Sequence, residues 1–395
     1  MLHTLAQLPT DYLSVVTRVD EMRLRLKFML QQSPRRWTGL LRRSEFARAI
    51  QGSNSIEGYH VTVDDAVAAV EGEEPLIDER TEAWLAVRGY REAMTYVQQL
   101  AGDAHFVHHE AVLRSLHYMM LSYDLAKHPG RWRPGLIYVR RGETGDIVYE
   151  GPDAALIPGL VSGLVASLNE PSSLPIMVRA ALAHLNLVMI HPFSDGNGRM
   201  ARALQSLVLA REGILDPQFS SIEEYLGRNT PAYYQVLADV GQGAWNPGRD
   251  ALPWVKFCLT AHYRQAETLL RRTQESSQLW NELETEVKRR GLQERTVLAL
   301  HDAAFGYRVR NTTYRKAADV SDAVAGRDLG ALTAAGLLVP QGEKRGRYYL
   351  AGEWLKQVRA AVRLTTVQSD PFTGDEVREE PTPYVGPTDP AEGKS

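Results

Sequence analysis

Between His191 and Arg202 the chain places a histidine, an aspartate, two glycines around an asparagine and two arginines. Gly196 and Gly198 admit backbone conformations closed to other residues. Flanking Asn197 at the start of a helix, they can turn consecutive N–H groups toward one point, a nest that holds phosphate. Arg199 and Arg202 stand three apart on the new helix, so both project from neighbouring positions and can grip phosphate oxygens in pairs. Asp195 is a candidate ligand for a Mg²⁺ ion bridging two phosphates, since Mg²⁺ takes oxygen donors and shares them with substrate. His191, with an ordinary pKa near neutrality, suits the removal of a proton from an attacking hydroxyl. Taken singly, each residue fits an interhelical loop with a capping aspartate and solvated arginines. The whole string points to phosphate chemistry.

Two helices must hold this loop. The one before it offers Met177, Ala181, Leu185, Val188 and Met189 as an apolar face, and the one after it offers Met200, Leu204, Leu207 and Val208. Phe193 between them is expected to bury its ring and pin the loop. Upstream, residues 12–100 read as helices, with the periodicity broken over 52–61, and 106–122 read as another. The character then changes: 136–139 and 147–149 are short β-type runs flanking a glycine-containing polar turn at 140–146, the pattern of a hairpin. Helices resume over 154–190 with a break at 171–175, dominate from 200 to about 275, and are followed by a charged helix at 279–290.

The carboxyl-terminal region differs. Residues 295–363 carry twelve Lys/Arg against six Asp/Glu, a local basic excess. Helical stretches at 294–302, 314–318 and 322–335 precede β-type runs at 337–339 and 348–350 that flank a basic turn at 342–347. This looks like a winged-helix domain. Its basic surface could neutralise DNA phosphates, although Asp322 to Gly326 are poor base readers at a helix start, and docking a protein is the other use of such a domain. From Thr366 onward seven acidic residues, two basic ones and five prolines without periodicity predict a disordered tail.

Bulk properties bound the rest. A chain of 395 residues, 44% apolar and 24% charged, is expected to form two or three folded units with ordinary cores. The net charge of -3 selects no partner class. One cysteine, Cys258, excludes an internal disulfide and a cysteine-based metal cluster. No stretch approaches the roughly 18 apolar residues of a membrane span, and acidic residues interrupt the amino terminus where a signal peptide would be apolar. A soluble cytoplasmic protein with no membrane partner is the expectation.

The 191–202 string resembles the Fic motif, HxFx(D/E)GNGRxxR, at every specified position: His191, Phe193, Asp195, Gly196, Asn197, Gly198, Arg199 and Arg202. The resemblance implies a mainly α fold, a Fic helical core with a β-hairpin flap, here followed by the winged helix-turn-helix domain. It implies transfer of AMP from ATP to a Ser, Thr or Tyr hydroxyl of a protein, another chain or this one, with release of pyrophosphate. His191 would be the general base, Asp195 the Mg²⁺ ligand, Gly196 to Gly198 the anion nest, and Arg199 and Arg202 the holders of the distal phosphates. Residues 131–133 and the hairpin resemble the Fic flap, whose edge, at Tyr138 and Val139, would pair with a target strand. Ser221, Ile222, Tyr233 and Tyr234 resemble family positions that approach the nucleoside.

Ser53, Glu57 and Gly58 resemble the inhibitory motif (S/T)xxxE(G/N) of the class with an amino-terminal inhibitory helix. Glu57 would pair with Arg202 and leave the donor's α-phosphate badly presented. The same carboxylate suggests an alternative, an enzyme that hydrolyses AMP from a modified protein. A third reading is a DNA-binding regulator whose Fic core senses nucleotide. The expected layout is 1–100 for the inhibitory helical region, 101–275 for the catalytic core, 276–365 for the winged helix and 366–395 for the tail. A homodimer is compatible with all of this.

Overall fold

The computed structural model describes residues 1–32, 35–73, 81–140, 144–211, 213, 216–343, 346–365 and 368–377. The helices run α1 (Thr10–Gln32), α2 (Arg35–Ile56), α3 (Val63–Glu71), α4 (Glu82–Ala101), α5 (Glu110–Leu121), α6 (Ile157–Asn169), α7 (Ile176–Ile190) and α8 (Asn197–Ala210). They continue as the short α9 (Pro217–Ser220) and α10 (Glu223–Arg228), then α11 (Thr230–Gly241), α12 (Leu252–Arg289), α13 (Val297–Ala304), α14 (Asn311–Ala318), α15 (Asp322–Ala334) and α16 (Glu353–Ala361). Strands are few and short: β1 (Tyr138–Arg140), β2 (Ile147–Glu150), β3 (Gly243–Ala244), β4 (Leu338–Gln341), β5 (Tyr348–Ala351), β6 (Gln368–Ser369) and β7 (Glu376–Val377).

The chain folds into two compact units. The first comprises Met1–Leu24, Glu45–Val61 and Ile77–Glu267. Its centre is α7 against α8, with α4 and α5 packed beside them. Alternating turns of α7 and α8 are apolar on almost every side, so Leu185, Leu187, Ile190, Met200, Leu204 and Leu207 are buried. Phe193 in the intervening loop is fully buried too, a contribution of about 2 kcal/mol that fixes the loop to the core. The anticipated hairpin is present: β1 and β2 pair antiparallel, Tyr138 opposite Glu150 and Val139 opposite Tyr149, and β3 pairs parallel with β2 on its other side. β1 is therefore an edge strand. Residues 141–143 of the expected turn lie outside the described residues.

The second unit comprises Arg25–Ser44, Thr62–Leu76 and Thr268–Ser395. Here α13 packs against α14, α16 and β5, and α14 against α15, around Leu298, Leu300, Leu329, Leu332, Leu337 and Leu355. β4 and β5 form an antiparallel hairpin, and Val309 bridges to Tyr349. Residues 344–345 of the expected basic turn lie outside the described residues. Helix α3 belongs to this unit and starts with a capping box, Thr62 accepting from the Asp65 N–H while Asp65 accepts from the Thr62 N–H.

Three expectations need revision. The periodicity break predicted over 52–61 is narrower, because α2 continues through Ile56 and only the residues after it turn. Helix α8 starts at Asn197, where the glycine pair was expected to open it, so Gly198 lies in its first turn and Arg202 in the turn after it. The separate charged helix at 279–290 is the second half of α12, and the expected boundary at 275–276 falls inside that helix. Leu279, Trp280, Leu283 and Val287 are buried there, so packing of this face carries the helix on through the charged stretch. Within the predicted disordered tail, Gln368–Ser369 and Glu376–Val377 pair as a short antiparallel ladder, closed by Asp370 accepting from the N–H groups of Phe372 and Thr373.

Candidate active site

His191 closes α7 in the left-handed region at φ 52°, its N–H still bonded to the Leu187 carbonyl. A β-carbon there is disfavoured by about 1–3 kcal/mol, and the surroundings must hold it. Arg133 does so: its Nε donates to the His191 carbonyl at 2.8 Å, its guanidinium also reaches the carbonyls of Gly135 and Pro152, and its N–H bonds the Pro192 carbonyl. The imidazole Nδ1 lies 3.0 Å from the Val188 carbonyl. A carbonyl only accepts, so the proton sits on Nδ1 and Nε2 is left with its lone pair. Burial lowers the His191 pKa below its ordinary value, with Arg133 adding to the effect and the Val188 bond, Glu57 and Asp195 opposing it. The ring is neutral at pH 7, in the tautomer a general base needs.

The loop is braced from inside. Asn197 accepts the Phe193 N–H and donates to the Phe193 carbonyl, both at 2.9 Å. Its side chain is thereby used in the loop, and only its backbone is available to an anion. His117 on α5 stacks on Phe193 with ring centroids 3.7 Å apart. Its Nε2 donates to the Asp195 carbonyl at 2.9 Å and its Nδ1 accepts the Gly130 N–H at 2.8 Å. Burial pushes its pKa down to about 4, so both bonds persist at neutral pH.

Gly196 precedes α8 at φ 74°, and the first N–H groups of the helix have no carbonyl four residues back. Asp195 accepts the Gly196 N–H on Oδ1 at 2.6 Å, and its Oδ2 lies 3.3 Å from the Lys127 ammonium. Arg199 is 1% exposed, yet its Nε and Nη1 have no hydrogen-bond partner among the described residues. The Tyr59 ring lies over its guanidinium, 5.0 Å from ring centre to Cζ. A buried guanidinium left this way costs free energy unless an anion joins it.

Arg202 is equally buried but fully engaged. Its Nε donates to the Ser53 hydroxyl at 2.7 Å, and its Nη2 to the Ser53 carbonyl at 3.0 Å and to Glu57 Oε1 at 2.7 Å. Glu57 holds the Arg202 proton more tightly still, so the guanidinium is charged at any working pH. The Glu57 carboxylate also lies against Gly198, leaving no room for a β-carbon. It therefore covers both Arg202 and the start of α8. Gly58 follows at φ 82° and turns the chain away.

All the residues expected at the site from 53–58 and 191–202 thus meet in one place. Tyr138 and Val139 lie on the edge strand β1, whose hairpin is tied to the end of α7 by the Tyr149 hydroxyl donating to the Met189 carbonyl at 2.7 Å. The residues expected near a nucleoside have other partners here. The Tyr233 hydroxyl is 3.5 Å from Arg202 Nη1 and 3.0 Å from His184, Tyr234 donates to the Ile56 carbonyl at 2.9 Å, Ser221 caps Glu223, and Ile222 is buried. Sequence reasoning missed His117, Lys127 and Tyr59, and it noted Arg133 only as a neighbour of the flap. None carries a local pattern: each acts across the fold, and His117 is 78 residues from Asp195.

Residues 107–209 match the model of the Fic/DOC family. Over 72 residues the chain is 52% identical to protein adenylyltransferase fic-1 of Caenorhabditis elegans, which covers 17% of this chain and 14% of that one. It is 32% identical over 212 residues to protein adenylyltransferase Fic of Culex quinquefasciatus, 53% of this chain and 37% of that one. The chain spans less than half the length of these curated relatives. A Fic family protein from Desulfovibrio desulfuricans G20 has a similar fold, with a TM-score of 0.59 at 23% identity over 89% of this chain and 98% of that one. Residues 107–209 are a Fic/DOC domain, and the chain has a mainly helical Fic fold.

Proposed function

We propose that this Fic-fold protein is a protein adenylyltransferase that moves AMP from ATP to a Ser, Thr or Tyr hydroxyl of a protein, and that Glu57 restrains it. The observation that carries the reading is Arg199, a buried guanidinium with two unpartnered nitrogens at a helix N-terminus, next to a histidine whose free lone pair is on Nε2. His191 Nε2 would take the proton of the target hydroxyl as its oxygen bonds to the α-phosphorus. The bond from that phosphorus to the bridging oxygen breaks, and pyrophosphate leaves. The backbone N–H groups from Asn197 to Arg199 and the Arg199 guanidinium would hold the donor's phosphates, joined by Arg202 once Glu57 withdraws.

Asp195 fits a Mg²⁺ ion: it is a partly exposed carboxylate with one oxygen on a backbone N–H and the other on a movable ammonium, and Mg²⁺ is commonly held by one carboxylate plus substrate phosphates. When bound, the ion would neutralise charge on the departing pyrophosphate. The target segment would lie along the free edge of β1 at Tyr138 and Val139, a reading supported by the one-sided pairing of that strand. Comparing wild type, Glu57→Gly and His191→Ala with labelled ATP in native lysate tests the whole. Labelling should rise in Glu57→Gly and vanish in the double variant Glu57→Gly/His191→Ala. No increase in Glu57→Gly would remove the restraint from the proposal.

Glu57 also allows the reverse activity. One of its oxygens is on Arg202 and its side chain is 26% exposed, a position from which it could orient a water for hydrolysis of a bound AMP ester. On a pre-modified target an eraser loses activity in Glu57→Gly, whereas a transferase gains it on the unmodified one. For the second unit, the α13–α15 helices with the β4–β5 hairpin support a winged helix that docks protein. DNA is the alternative partner, and four internal pairs weigh against it: Arg308 with Asp64, Arg310 with Glu73, Arg295 with Asp328 and Arg359 with Glu275. No helix among the described residues is long and apolar enough to cross a membrane, and the proposal places the reaction in the cytoplasm, where ATP is abundant.

A further inference from the structure

Lys127 ends a 3-10 turn at Leu125–Lys127, outside the motif. Its ammonium lies 2.5 Å from Glu82 Oε1, 3.1 Å from the Tyr59 hydroxyl and 3.3 Å from Asp195 Oδ2. The rings of Tyr59 and Tyr123 lie 5.7 and 5.5 Å from it. Tyr59 in turn donates to Glu82 at 3.0 Å, covers Arg199, and follows the Glu57–Gly58 turn directly. Three charged groups that would meet a metal–triphosphate are therefore covered in the resting protein. Glu57 holds Arg202, the Tyr59 ring lies on Arg199, and Lys127 holds the outer oxygen of Asp195.

We propose that Lys127 is the site's own counter-cation: it holds Asp195 when no divalent ion is present and competes with that ion for the carboxylate. The inference rests on the reading of Asp195 as the metal ligand. Glu82 supplies the alternative partner. When a metal ion takes Asp195, the ammonium keeps its bond to Glu82 and need only retreat from the aspartate. A divalent ion and an ammonium on the same carboxylate oxygen repel one another, so each weakens the binding of the other. Tyr59 links this exchange to the restraint, since withdrawal of Glu57 and Gly58 moves the hydroxyl that helps hold Lys127 in place.

The test measures metal binding apart from catalysis. Free Mn²⁺ is followed by electron paramagnetic resonance during titration of the full-length protein, saturated with a non-hydrolysable ATP analogue, in the Glu57→Gly background. Lys127→Met should bind Mn²⁺ about fivefold more tightly, the size of a partly exposed ion pair, while Glu82→Gln, which leaves Asp195 as the main partner of the ammonium, should bind it more weakly. Unchanged affinity in Lys127→Met overturns the proposal. Weaker binding also overturns it, since Lys127 would then serve the phosphates and not the aspartate. Asp195→Asn separates the two layers: if it binds Mn²⁺ as the background does, the metal-ligand reading itself fails, whatever Lys127 does. Thermal melting of each variant confirms that the folded protein is being compared.

Discussion

Arg199 and Arg308 both hold most of the side chain away from solvent, and they differ in ion pairing. Arg308, in the second unit, lies 3.2 Å from Asp64, and its neighbours follow the same rule: Arg310 meets Glu73 at 2.9 Å, and Arg43 meets Glu71 at 2.8 Å and Asp302 at 2.6 Å. Arg199 has no ion pair among the described residues and leaves Nε and Nη1 unpartnered. In the second unit carboxylates on and just after α3 and on α13 neutralise these arginines. At the start of α8 the protein tolerates an unsatisfied charge. At Arg199 the fold withholds the partner, and that leaves a buried positive charge for an anion.

That contrast can be broken from either side. The largest effect is expected at Arg199. Arg199→Met should lower AMP transfer in the Glu57→Gly background by about 100- to 1,000-fold, the usual cost of removing one donor to developing charge, with the melting temperature unchanged or raised. A variant that unfolds instead would make Arg199 structural, like Arg308. Next, Arg308→Met should destabilise the second unit by about 3 kcal/mol, because it leaves Asp64 buried and unpaired. Denaturant melts would register this, and transfer per folded molecule should stay within about twofold. A large catalytic loss without destabilisation would undo the distinction.

Acid should expose a third difference. His117 has a pKa of about 4 in the folded protein and His184 about 3, both driven down by burial. Between the ordinary histidine value of 6.5 and those lower values, the unfolded chain binds protons that the folded one refuses, so stability falls as pH falls through that window. His117 alone accounts for roughly 3 kcal/mol of this. Melts of His117→Asn across pH 4–7 should be less pH-dependent than wild type, and an equal slope would show that His117 is not the buried neutral ring described. His191 shifts the same way, so the acid limb of transfer should have its midpoint below pH 6.5.

The smallest effect lies in the restraint. A β-carbon on Gly52 would meet the backbone of Glu223 and Glu224, so Gly52 lets the last turns of α2 reach Arg202. Gly52→Ala should lift α2 slightly and raise basal transfer a few-fold, well short of Glu57→Gly. Activity equal to wild type would mean that α10 yields instead of α2.

Much of this was legible in the residues themselves, for a reason particular to them. The roles of Gly196, Gly198 and Arg199 depend on a helix end and on neighbours within four positions, which the chain order dictates. The hairpin at 138–150 and the helices of the second unit were readable on the same local grounds. The long α12 and the short ladder at 368–377 were not, because burial of Leu279 and Leu283 and a single Asp370 turn outweigh average composition.

The sequence by itself determined the chemistry: a histidine, an aspartate, a phosphate nest and two arginines in the order a nucleotide-transfer loop requires. The resemblance implied the cover on Arg202, and only the tertiary structure decided the covers on Arg199 and Asp195. Arg202 meets Ser53 across 149 positions, and Lys127 meets Asp195 across the fold. No local rule links such residues, since their pairing is fixed by how α2, α4 and α8 pack. The charges are written in the chain, and their partners are chosen by the core.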